Sequence, residues 1–521
     1  MLFVSDLPAP CDNLRRYLST FDGGRLAREF RLEHFDCFAS LRSWYRRNRG
    51  RFVSLIVQQV DFSRTRHEAK LIGFPEVKAP VPRKFDPLTY QGFLVYAGLR
   101  QQNIDRVAPV LFVTRQGQLM DARRFADFVV YPGYGSCSFM EERTDEAGYS
   151  SELTRNIDAT ALRPMDDERR RVWRTRHKMV VGRSRRMAYL VHEIERIGPS
   201  DAIALLLGQP GVGKELVANA LHRFSERYAE DDDGRCYPQT VNIAALDKNL
   251  IEDELFGHER GAFTGATAER KGIFETGRDS TVFLDEIGDI SAEIQLKLLR
   301  AMEYRRIKRL GSSREIAVNM RIIAATNRTV EELRLRLRPD FYSRLVQHCI
   351  PVPSLRERWQ DETPGVVADD LRELFDFVVD EMNESPRHAR DLQVEPAAVN
   401  FLHQLVEEHI RENNELFHGN MRTMRNIIER AYERSQYDGS PEIRLGHIIS
   451  TLGMIHLLNS QAPARRAETV EQVVGSLQLR RIERQAIAEA MARCHNNQSQ
   501  AAELLGIHRD TLRRKLAESD T

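Results

Sequence analysis

The sequence has few cysteines, no long apolar run and no excess of charge of either sign. Its six cysteines are widely scattered and include no CxxC pair, which argues against a disulfide framework and against a zinc site. No stretch approaches the roughly 18 consecutive apolar residues of a membrane-spanning helix, so we expect no membrane partner. The first residues lack the basic start of a signal peptide, and the predicted compartment is therefore the cytoplasm.

Opposite charges nearly cancel over the whole chain. Lys and Arg together number 77 and Asp and Glu 76, which leaves a net charge of +1. Any contact with nucleic acid must therefore come from a local basic patch. Hydrophobic residues make up 41% and charged residues 29% of the 521 residues. This composition argues against a disordered chain and, at this length, predicts about three folded domains.

A glycine-rich turn connects an apolar run of strand length, residues 202–207, to a helical pattern. It reads GQPGVGKE and matches GxxxxGK, in which backbone N–H groups turn toward phosphate oxygens at a helix N-terminus. Lys214 could then reach the β- and γ-phosphates of a nucleotide. Glu215 stands where most such turns have Ser or Thr, so it cannot supply the usual hydroxyl ligand for Mg²⁺. The predicted nucleotide-binding residues of the turn are Gly208, Gly211, Gly213, Lys214 and Glu215.

Two further apolar runs end in polar side chains suited to phosphate chemistry. Residues 281–284 lead into Asp285 and Glu286, which we predict to hold Mg²⁺ and to orient the attacking water, respectively. Residues 321–326 lead into Asn327, whose amide could sense a γ-phosphate. The alternative is that these side chains are ordinary strand ends that face solvent.

A glycine-rich segment lies between the two nucleotide motifs and reads ELFGHERGAFTGA over residues 254–266. Glycines around Phe263 are typical of a mobile loop tip with one apolar anchor. The alternative is a buried turn with Phe263 in the core. The segment resembles the signature ELFGHExGAFTGA of bacterial enhancer-binding proteins, the AAA+ activators of sigma-54 RNA polymerase.

This resemblance extends from about residue 181 to residue 422 and implies a P-loop AAA+ ATPase core with ATP and Mg²⁺ as its cofactors. Lys214 resembles the Walker A lysine of the family, and Asp285 with Glu286 resembles its Walker B pair. Phe263 and Thr264 look like the residues that contact sigma-54. The sigma-54 contact residues implied by the whole hexapeptide are Gly261, Ala262, Phe263, Thr264, Gly265 and Ala266.

The resemblance assigns roles to five more residues. Asn242, in VNIAAL, is similar to the asparagine that engages the Walker B glutamate, and Asn327 looks like the sensor I residue. Arg338 and Arg344, in LRPDFYSRL, match the two arginines of the family's FRxDLYYRL. Such arginines could complete a neighbouring subunit's nucleotide site, although surface arginines on a helix would look the same. Arg422, in HGNMRTM, resembles the sensor II arginine.

The chain departs from the family pattern at two places. The usual GESGTGKE reads GQPGVGKE, so that Gln209, Pro210 and Val212 are substituted and Pro210 removes one backbone N–H donor. The usual WPGNVREL reads FHGNMRTM, which keeps Arg422 in changed surroundings. The glycines and Lys214 are retained, so we expect nucleotide binding to be retained.

The end of the chain has the pattern of a helix-turn-helix. Residues 500–507 read QAAELLGI, a small-residue helix followed by a glycine turn, and the next residues, HRDTLRRKL, place leucines on one face. The stretch resembles the Fis-type helix-turn-helix of enhancer-binding proteins, although a plain amphipathic helix is the alternative. A recognition helix in the major groove of double-stranded DNA would use basic and polar residues of this segment. They are His508, Arg509, Thr511, Arg513, Arg514 and Lys515.

The first 165 residues carry strand candidates at residues 2–4, 52–60, 109–113 and 128–131, with helical segments between them. This alternation predicts a doubly wound α/β sensor. Asp6, Asp61 and Thr114 follow three of the candidates, an order similar to that of a response-regulator receiver. The acidic pair expected after the first strand and a lysine after the last are missing, so we expect a degenerate receiver-like domain in which Asp61 is not phosphorylated.

Together these features predict a sigma-54-dependent transcriptional activator that binds DNA upstream of promoters and hydrolyses ATP to open polymerase complexes. We predict a receiver-like domain at 1–165, a linker helix at 166–180, an AAA+ domain at 181–458 with its helical lid from about 355, a linker at 459–476 and an all-α helix-turn-helix domain at 477–521. The family implies a homo-oligomer, from a dimer to a hexameric ring. The alternatives are a DNA-binding repressor with a vestigial ATPase and an AAA+ remodeller of some non-transcriptional protein. The target genes and the input signal do not follow from the sequence.

Overall fold

The structure is a computed structural model that describes most of the chain. The described residues are 1–5, 9–20, 24–48, 51–61, 91–101, 108–118, 137–142, 146–228, 238–246, 248–360, 362, 364–384, 392–412, 415–460, 491, 497–504 and 512. Asp6, the strand candidate at 128–131, the linker beyond residue 460 and the six predicted DNA-contacting residues lie outside them. A search of the described helices finds none with the length and apolar character needed to cross a bilayer.

The chain forms two compact units. One consists of residues 1–166, 185–207 and 217–351, and the other of residues 167–184, 208–216 and 352–521. The first unit contains two parallel β-sheets, and the second is mainly helical.

The first sheet of the first unit belongs to the amino-terminal part. Its strands are β1 (Leu2–Val4), β2 (Glu33–Phe35), β3 (Ile56–Gln59), β4 (Val110–Thr114) and β5 (Cys137–Glu141). They are parallel and lie in the order β2-β1-β3-β4-β5. This is the strand order of doubly wound flavodoxin-like folds and of receivers. The predicted α/β architecture of this part is therefore confirmed.

Helices lie between these strands in the chain, and the sheet is buried on both faces. Val110 and Phe112 of β4 enter one hydrophobic cluster, whereas Leu111 and Val113 enter another. Burial on both faces explains why the run is apolar throughout instead of alternating. The helices of this part are Ala9–Thr20, Arg25–Glu29, Phe38–Arg47, Gln91–Gln101 and Glu146–Thr160.

The two edge strands, β2 and β5, were not predicted from the sequence. β2 has only three residues, EHF, and β5 reads CSFME. Most of their residues are only half-buried, because an edge strand has a neighbour on one side only. Such short segments with charged ends lack the apolar run by which the central strands were recognised.

The second sheet of the first unit also has five strands. They are β6 (Ala204–Leu207), β7 (Gln239–Asn242), β8 (Thr281–Asp285), β9 (Arg321–Thr326) and β10 (Cys349–Pro351). All are parallel, in the order β10-β6-β9-β8-β7. Because parallel strands end at the same edge, the residues after β8 and β9 are neighbours, although about 40 residues of chain separate them.

The helices and turns of this part connect the strands. They are Arg185–Ile197, Lys214–Arg223, Lys248–Phe256, Ile273–Thr276, Ala292–Tyr304, Val330–Arg336 and Pro339–Leu345, with 3₁₀ turns at Ile243–Ala245 and Ile287–Asp289. Thr329 caps the helix Val330–Arg336 with a capping box, which satisfies N–H groups that a helix start otherwise leaves unpaired.

Two buried polar side chains tie the helices to this sheet. Arg321, at the start of β9, is fully buried and donates to the carbonyl oxygens of Gly198, Leu221 and Ile197. Nδ1 of His222 lies 2.9 Å from Oγ1 of Thr281, the first residue of β8. These bonds fix the helices against the strands whose other ends carry the predicted site residues.

The second unit is built around a helical core. Its helices are Asp167–His177, Leu355–Trp359, Pro364–Asn383, Pro396–Glu412, Asn420–Tyr437, Leu445–Ser460 and Gln498–Leu504, with a 3₁₀ turn at Glu415–Phe417 and a short parallel ribbon of Gln393–Val394 and Glu442–Ile443. The buried Asp370 accepts hydrogen bonds from Trp359 Nε1 (2.9 Å) and from the backbone N–H of Arg183 (2.6 Å). It thereby anchors the segment that precedes residue 185 to the helix Pro364–Asn383.

The burial of His222 predicts that the free energy of unfolding depends on pH. Burial, with a smaller contribution from the nearby Arg321, lowers the pKa of His222 from 6.5 to about 4. Its pKa is lower in the folded state than in the unfolded state, so this contribution to stability is complete above pH 6.5 and is lost as the pH falls toward 4. We expect the free energy of unfolding to decrease by about 1.4 kcal/mol per pH unit in this window, as measured by urea unfolding.

The control is His222→Gln, which keeps a polar side chain at this position but cannot titrate. Its stability at pH 7 and at pH 5 should differ by less than that of the natural chain. An equal loss of stability in both proteins would contradict the assignment.

Candidate nucleotide and partner-binding sites

The glycine-rich turn adopts the conformation expected of a phosphate-binding loop. Gly211 and Gly213 have positive φ angles of 76° and 97°, and the helix Lys214–Arg223 starts directly after them. Lys214 is 7% exposed, and its Nζ donates to the carbonyl oxygen of Gly208 at 2.8 Å, within the loop itself. Glu215 is exposed on the first turn of the helix. A loop of this shape before a helix N-terminus presents N–H groups and a lysine to an anion.

The second nucleotide motif brings four predicted side chains to one edge of the sheet. Asp285 ends β8 and pairs in register with Asn242 at the end of β7. Glu286 follows in the left-handed conformation, with φ of 57°. Its Oε2 accepts the backbone N–H of Asn327 at 3.2 Å, and its own N–H donates to Asp285 Oδ1 at 3.0 Å. A non-glycine residue in this conformation costs energy, which is consistent with a catalytic position.

The lid helix Asn420–Tyr437 is attached to the phosphate-binding loop through its first residue. Asn420 is 1% exposed, and its Nδ2 donates to Gln209 Oε1 (3.1 Å) and to the carbonyl oxygen of Pro210 (3.0 Å). Its Oδ1 accepts the backbone N–H of Leu355 at 2.9 Å. Two of the three loop residues that depart from the family pattern, Gln209 and Pro210, are thus contacted by Asn420. We call these contacts the lid latch.

The lid latch includes a close backbone approach. The backbone N–H of Arg422 donates to the carbonyl oxygen of Gly211 at 3.1 Å. A Cβ atom at Gly211 would lie 2.1 Å from the carbonyl oxygen of Gly419, so only glycine fits there. The Arg422 side chain is exposed. Arg422 was predicted from the sequence but Asn420 was not, since nothing in HGNMRTM shows which loop the asparagine contacts.

The two predicted finger arginines differ in their surroundings. Arg338 is half-buried, and its guanidinium binds both carboxylate oxygens of Asp340, at 3.2 and 3.0 Å. Arg344 is half-buried, and its Nε has no hydrogen-bond partner among the residues that the structure describes.

The segment with the GAFTGA hexapeptide is a hairpin loop. Its base is the antiparallel pair Gly257–His258 with Arg270–Lys271, and the tip is closed by a backbone bond from Gly261 N–H to Ala266 O at 2.8 Å. Phe263 is 48% exposed, with its ring edge-on to His258 at 4.9 Å between centroids. The alternative in which this phenylalanine fills the core does not fit this exposure.

The base of the loop is held by charged groups. His258 Nδ1 lies 2.6 Å from Asp253 Oδ1, and Arg270 donates to the other oxygen of this carboxylate at 2.9 Å. Burial opposes ionisation of Asp253, but these hydrogen bonds outweigh it and lower the pKa of the carboxyl group. Asp253 is therefore a stable anion that joins the two strands at the base.

A second hairpin contacts this loop through one buried arginine, which was not predicted from the sequence. The hairpin pairs Arg306–Ile307 with Ile316–Ala317. Between these strands, Arg309 is 9% exposed and binds Glu259 (3.2 Å), Glu269 (3.1 Å) and Glu275 (2.7 Å). Glu259 precedes the hexapeptide and Glu269 follows it, so Arg309 fixes both ends of the loop. Its charge was not distinctive in a sequence with many arginines.

The carboxyl edge of the amino-terminal sheet differs from a phosphate-accepting site. Asp61 is 2% exposed, and one of its carboxylate oxygens lies 3.0 Å from Nε of Arg115. Thr114 ends β4 and donates to the carbonyl oxygen of Met140. Glu141 and Glu142 stand at the end of the last strand, where a receiver would have its lysine. An arginine thus neutralises the carboxylate that a receiver would leave available for Mg²⁺.

The DNA-contacting residues predicted in the tail cannot be placed, because residues 505–511 and 513–521 lie outside the described part. The helix Gln498–Leu504 covers the first half of the predicted motif. Ala501 and Ala502 are buried on it, as is Leu512 further along.

Comparison with known proteins finds two matching families. Residues 180–351 match the model described as the Sigma-54 interaction domain, and residues 478–518 match the bacterial regulatory protein, Fis family. The transcriptional regulatory protein ZraR of Escherichia coli K12 is 35% identical over 342 residues, which are 65% of this chain and 68% of that protein. The nitric oxide reductase transcription regulator NorR1 of Cupriavidus necator is 49% identical over 186 residues, 35% of each chain. Among solved structures, NtrX from Brucella abortus in complex with ADP matches with 22% identity and a TM-score of 0.44, over 100% of this chain and 99% of that one.

We expect the loss of the lid latch to weaken nucleotide binding. Asn420→Ala removes the hydrogen bonds to Gln209, Pro210 and Leu355, and leaves a buried N–H unpaired at a cost of about 1–3 kcal/mol. If the latch holds the loop in its binding conformation, the affinity of the full chain for a fluorescent ATP analogue should fall about tenfold. Asn426→Ala, at an exposed position of the same helix, is the matched control. Equal affinities in the two variants would show that the latch does not position the loop.

Proposed function

The chain belongs to the family of sigma-54-dependent transcriptional regulators, the bacterial enhancer-binding proteins, and on this premise we propose that it hydrolyses ATP to open sigma-54 RNA polymerase complexes. The observation that carries the proposal is the hairpin loop with the exposed Phe263, held at both ends by Arg309. A loop with a rigid base and an apolar tip can transmit a movement to a partner. In this account Phe263 and Thr264 contact sigma-54.

The chain itself connects the catalytic acids to this loop. Glu286 is followed by the helix Ala292–Tyr304, which leads directly into the hairpin that carries Arg309. A change in the contacts of Glu286, such as its bond to the Asn327 N–H, would displace the start of that helix. The displacement would reach the loop through the ion pairs of Arg309 with Glu259 and Glu269.

The residues of the two nucleotide motifs suit ATP and Mg²⁺. Lys214 and the N–H groups of residues 208, 209 and 211–213 would hold the phosphates, and the Asp285 carboxylate would hold the metal. Mg²⁺ would neutralise charge on the transferred phosphoryl group. Glu286 would polarise the attacking water, with Asn242 and Asn327 beside it, and Arg422 would contact the nucleotide from the lid.

Hydrolysis would be completed between subunits of a homo-oligomeric ring. An arginine from a neighbouring subunit stabilises the charge that develops during phosphoryl transfer. Arg338 and Arg344 are the two candidates for this arginine.

The carboxyl-terminal tail would bind DNA, and the amino-terminal domain would control the activity of the ring. The Fis-type tail would bind DNA upstream of the promoter through residues 508–515, as a two-fold pair. The amino-terminal domain would gate the ring without phosphorylation of Asp61, because Arg115 already neutralises this carboxylate. A phosphoryl acceptor needs a carboxylate with bound Mg²⁺ beside it.

The test of the catalytic assignment is Glu286→Gln. The variant should keep its affinity for a fluorescent ATP analogue, since the phosphate-binding loop is unchanged. Its rate of phosphate release should fall roughly 100-fold or more, the usual effect of losing a general base. Open complexes, detected by permanganate reactivity of promoter DNA, should be lost with it.

The matched control is Glu303→Gln, which removes one exposed carboxylate from the helix Ala292–Tyr304. It should behave like the natural chain. Turnover in Glu286→Gln equal to that of Glu303→Gln would refute the role of Glu286. DNA binding by the natural chain with no ATP turnover would instead support the repressor with a vestigial ATPase.

A further inference from the structure

An open groove lies between the helix Ala292–Tyr304 and the hairpin that follows it. Its volume is about 750 Å³. The lining residues include five cations and one acid, namely Lys297, Arg300, Arg306, Lys308, Arg309 and Glu315. Gly311 at the turn of the hairpin is so close to Ala262 that an added Cβ would lie 2.8 Å from the Ala262 Cβ. The groove, which we call the hairpin groove, thus adjoins the loop that carries Phe263.

Three of these cations keep charge available to a ligand. Arg300 is exposed and has no ion pair among the residues that the structure describes. Arg306 and Lys308 share the single carboxylate of Glu315, at 3.1 and 3.9 Å, and their side chains are 62% and 45% exposed. Lys297 and Arg309 are neutralised by other glutamates and belong to the framework of the groove.

An exposed aromatic ring accompanies this charge. Tyr304 lines the hairpin groove and is 68% exposed. Arg314, just after the turn, is exposed as well. The segment from residue 304 to residue 309 reads YRRIKR, a density of arginine and lysine that the balanced composition of the whole chain does not suggest.

These features fit nucleic acid better than an acidic protein. The core of a protein–protein interface is depleted of charged residues, whereas protein–DNA interfaces are much more positively charged and bind phosphate oxygens through Arg and Lys. Here nearly half of the lining is cationic, and an amphipathic aromatic ring lies beside it. Duplex DNA is also the polymer that a Fis-type tail brings to the protein.

We propose that the hairpin groove binds the sugar–phosphate backbone of duplex DNA, independently of base sequence, as a second DNA contact besides the tail. Arg300, Arg306 and Lys308 contact phosphates, and Tyr304 packs against the sugar edge. This proposal depends on the proposed function only in taking duplex DNA as the ligand. It requires neither sigma-54 nor ATP hydrolysis.

The test measures the affinity of the full chain for a short random-sequence duplex by fluorescence anisotropy at several salt concentrations. The groove variant combines Arg300→Gln, Arg306→Gln and Lys308→Gln. Each phosphate contact contributes about 0.9 to the slope of log affinity against log salt. The slope of the groove variant should therefore be shallower by up to about 2.7, with a weaker affinity at low salt.

The matched control variant combines Arg278→Gln, Arg334→Gln and Arg411→Gln, three exposed arginines outside the groove. It loses the same charge and should keep the natural slope. Arg300→Gln alone, at an exposed position without an ion pair among the described residues, should lower the slope by about 0.9. This single change keeps the test valid if the triple variant does not fold.

A groove variant with the natural slope would overturn the proposal, as would an equal loss in the control variant. Unchanged DNA binding combined with loss of sigma-54 trapping would identify the groove as a protein interface and would also overturn it. The ATP turnover of the same preparations separates this outcome from the proposed function. Normal turnover with an unchanged slope would refute the groove and leave the activator mechanism intact.

Discussion

The parallel arrangement of the second sheet is the constraint on which the functional arrangement depends. Its five strands end at one edge, so the chain delivers Asn242, Asp285, Glu286 and Asn327 to the same place. The sheet is held at its other end by buried polar groups, notably Arg321, which binds three backbone carbonyl oxygens. Polar anchors are therefore placed at one end of the strands and reactive groups at the other.

In the proposed mechanism, this arrangement and one ion cluster would couple the acids to the loop that carries Phe263. Arg309 is buried and binds three glutamates, two of which, Glu259 and Glu269, flank the hexapeptide and have side chains that are themselves exposed to solvent. Separating a buried guanidinium from some of its carboxylate partners costs free energy. The two hairpins are therefore expected to move as a unit. The lid latch at Asn420 has the comparable role of relating the lid to the phosphate-binding loop.

Sequence reasoning found the parts that have local signatures and missed those that depend on tertiary contacts. The turn at 208–214, the acid pair after β8 and the loop around Phe263 were recognisable because spacing along the chain determines their chemistry. Asn420 and Arg309 were missed, since their partners lie far away in the sequence. The edge strands β2 and β5 were missed for lack of an apolar run. The α/β alternation of the amino-terminal part was predicted from its apolar runs, but the pairing of Asp61 with Arg115 was not.

The central claim is that this chain engages sigma-54 through its loop in a nucleotide-dependent way. The most direct measurement is the trapping of purified sigma-54 by the full chain with ADP–aluminium fluoride. It compares Thr264→Ala with Thr267→Ala, a matched exposed threonine just outside the hexapeptide. The account predicts a stable complex with the natural chain and with Thr267→Ala, and none with Thr264→Ala. Normal ATP turnover without a trapped complex, or equal trapping by both variants, would contradict it.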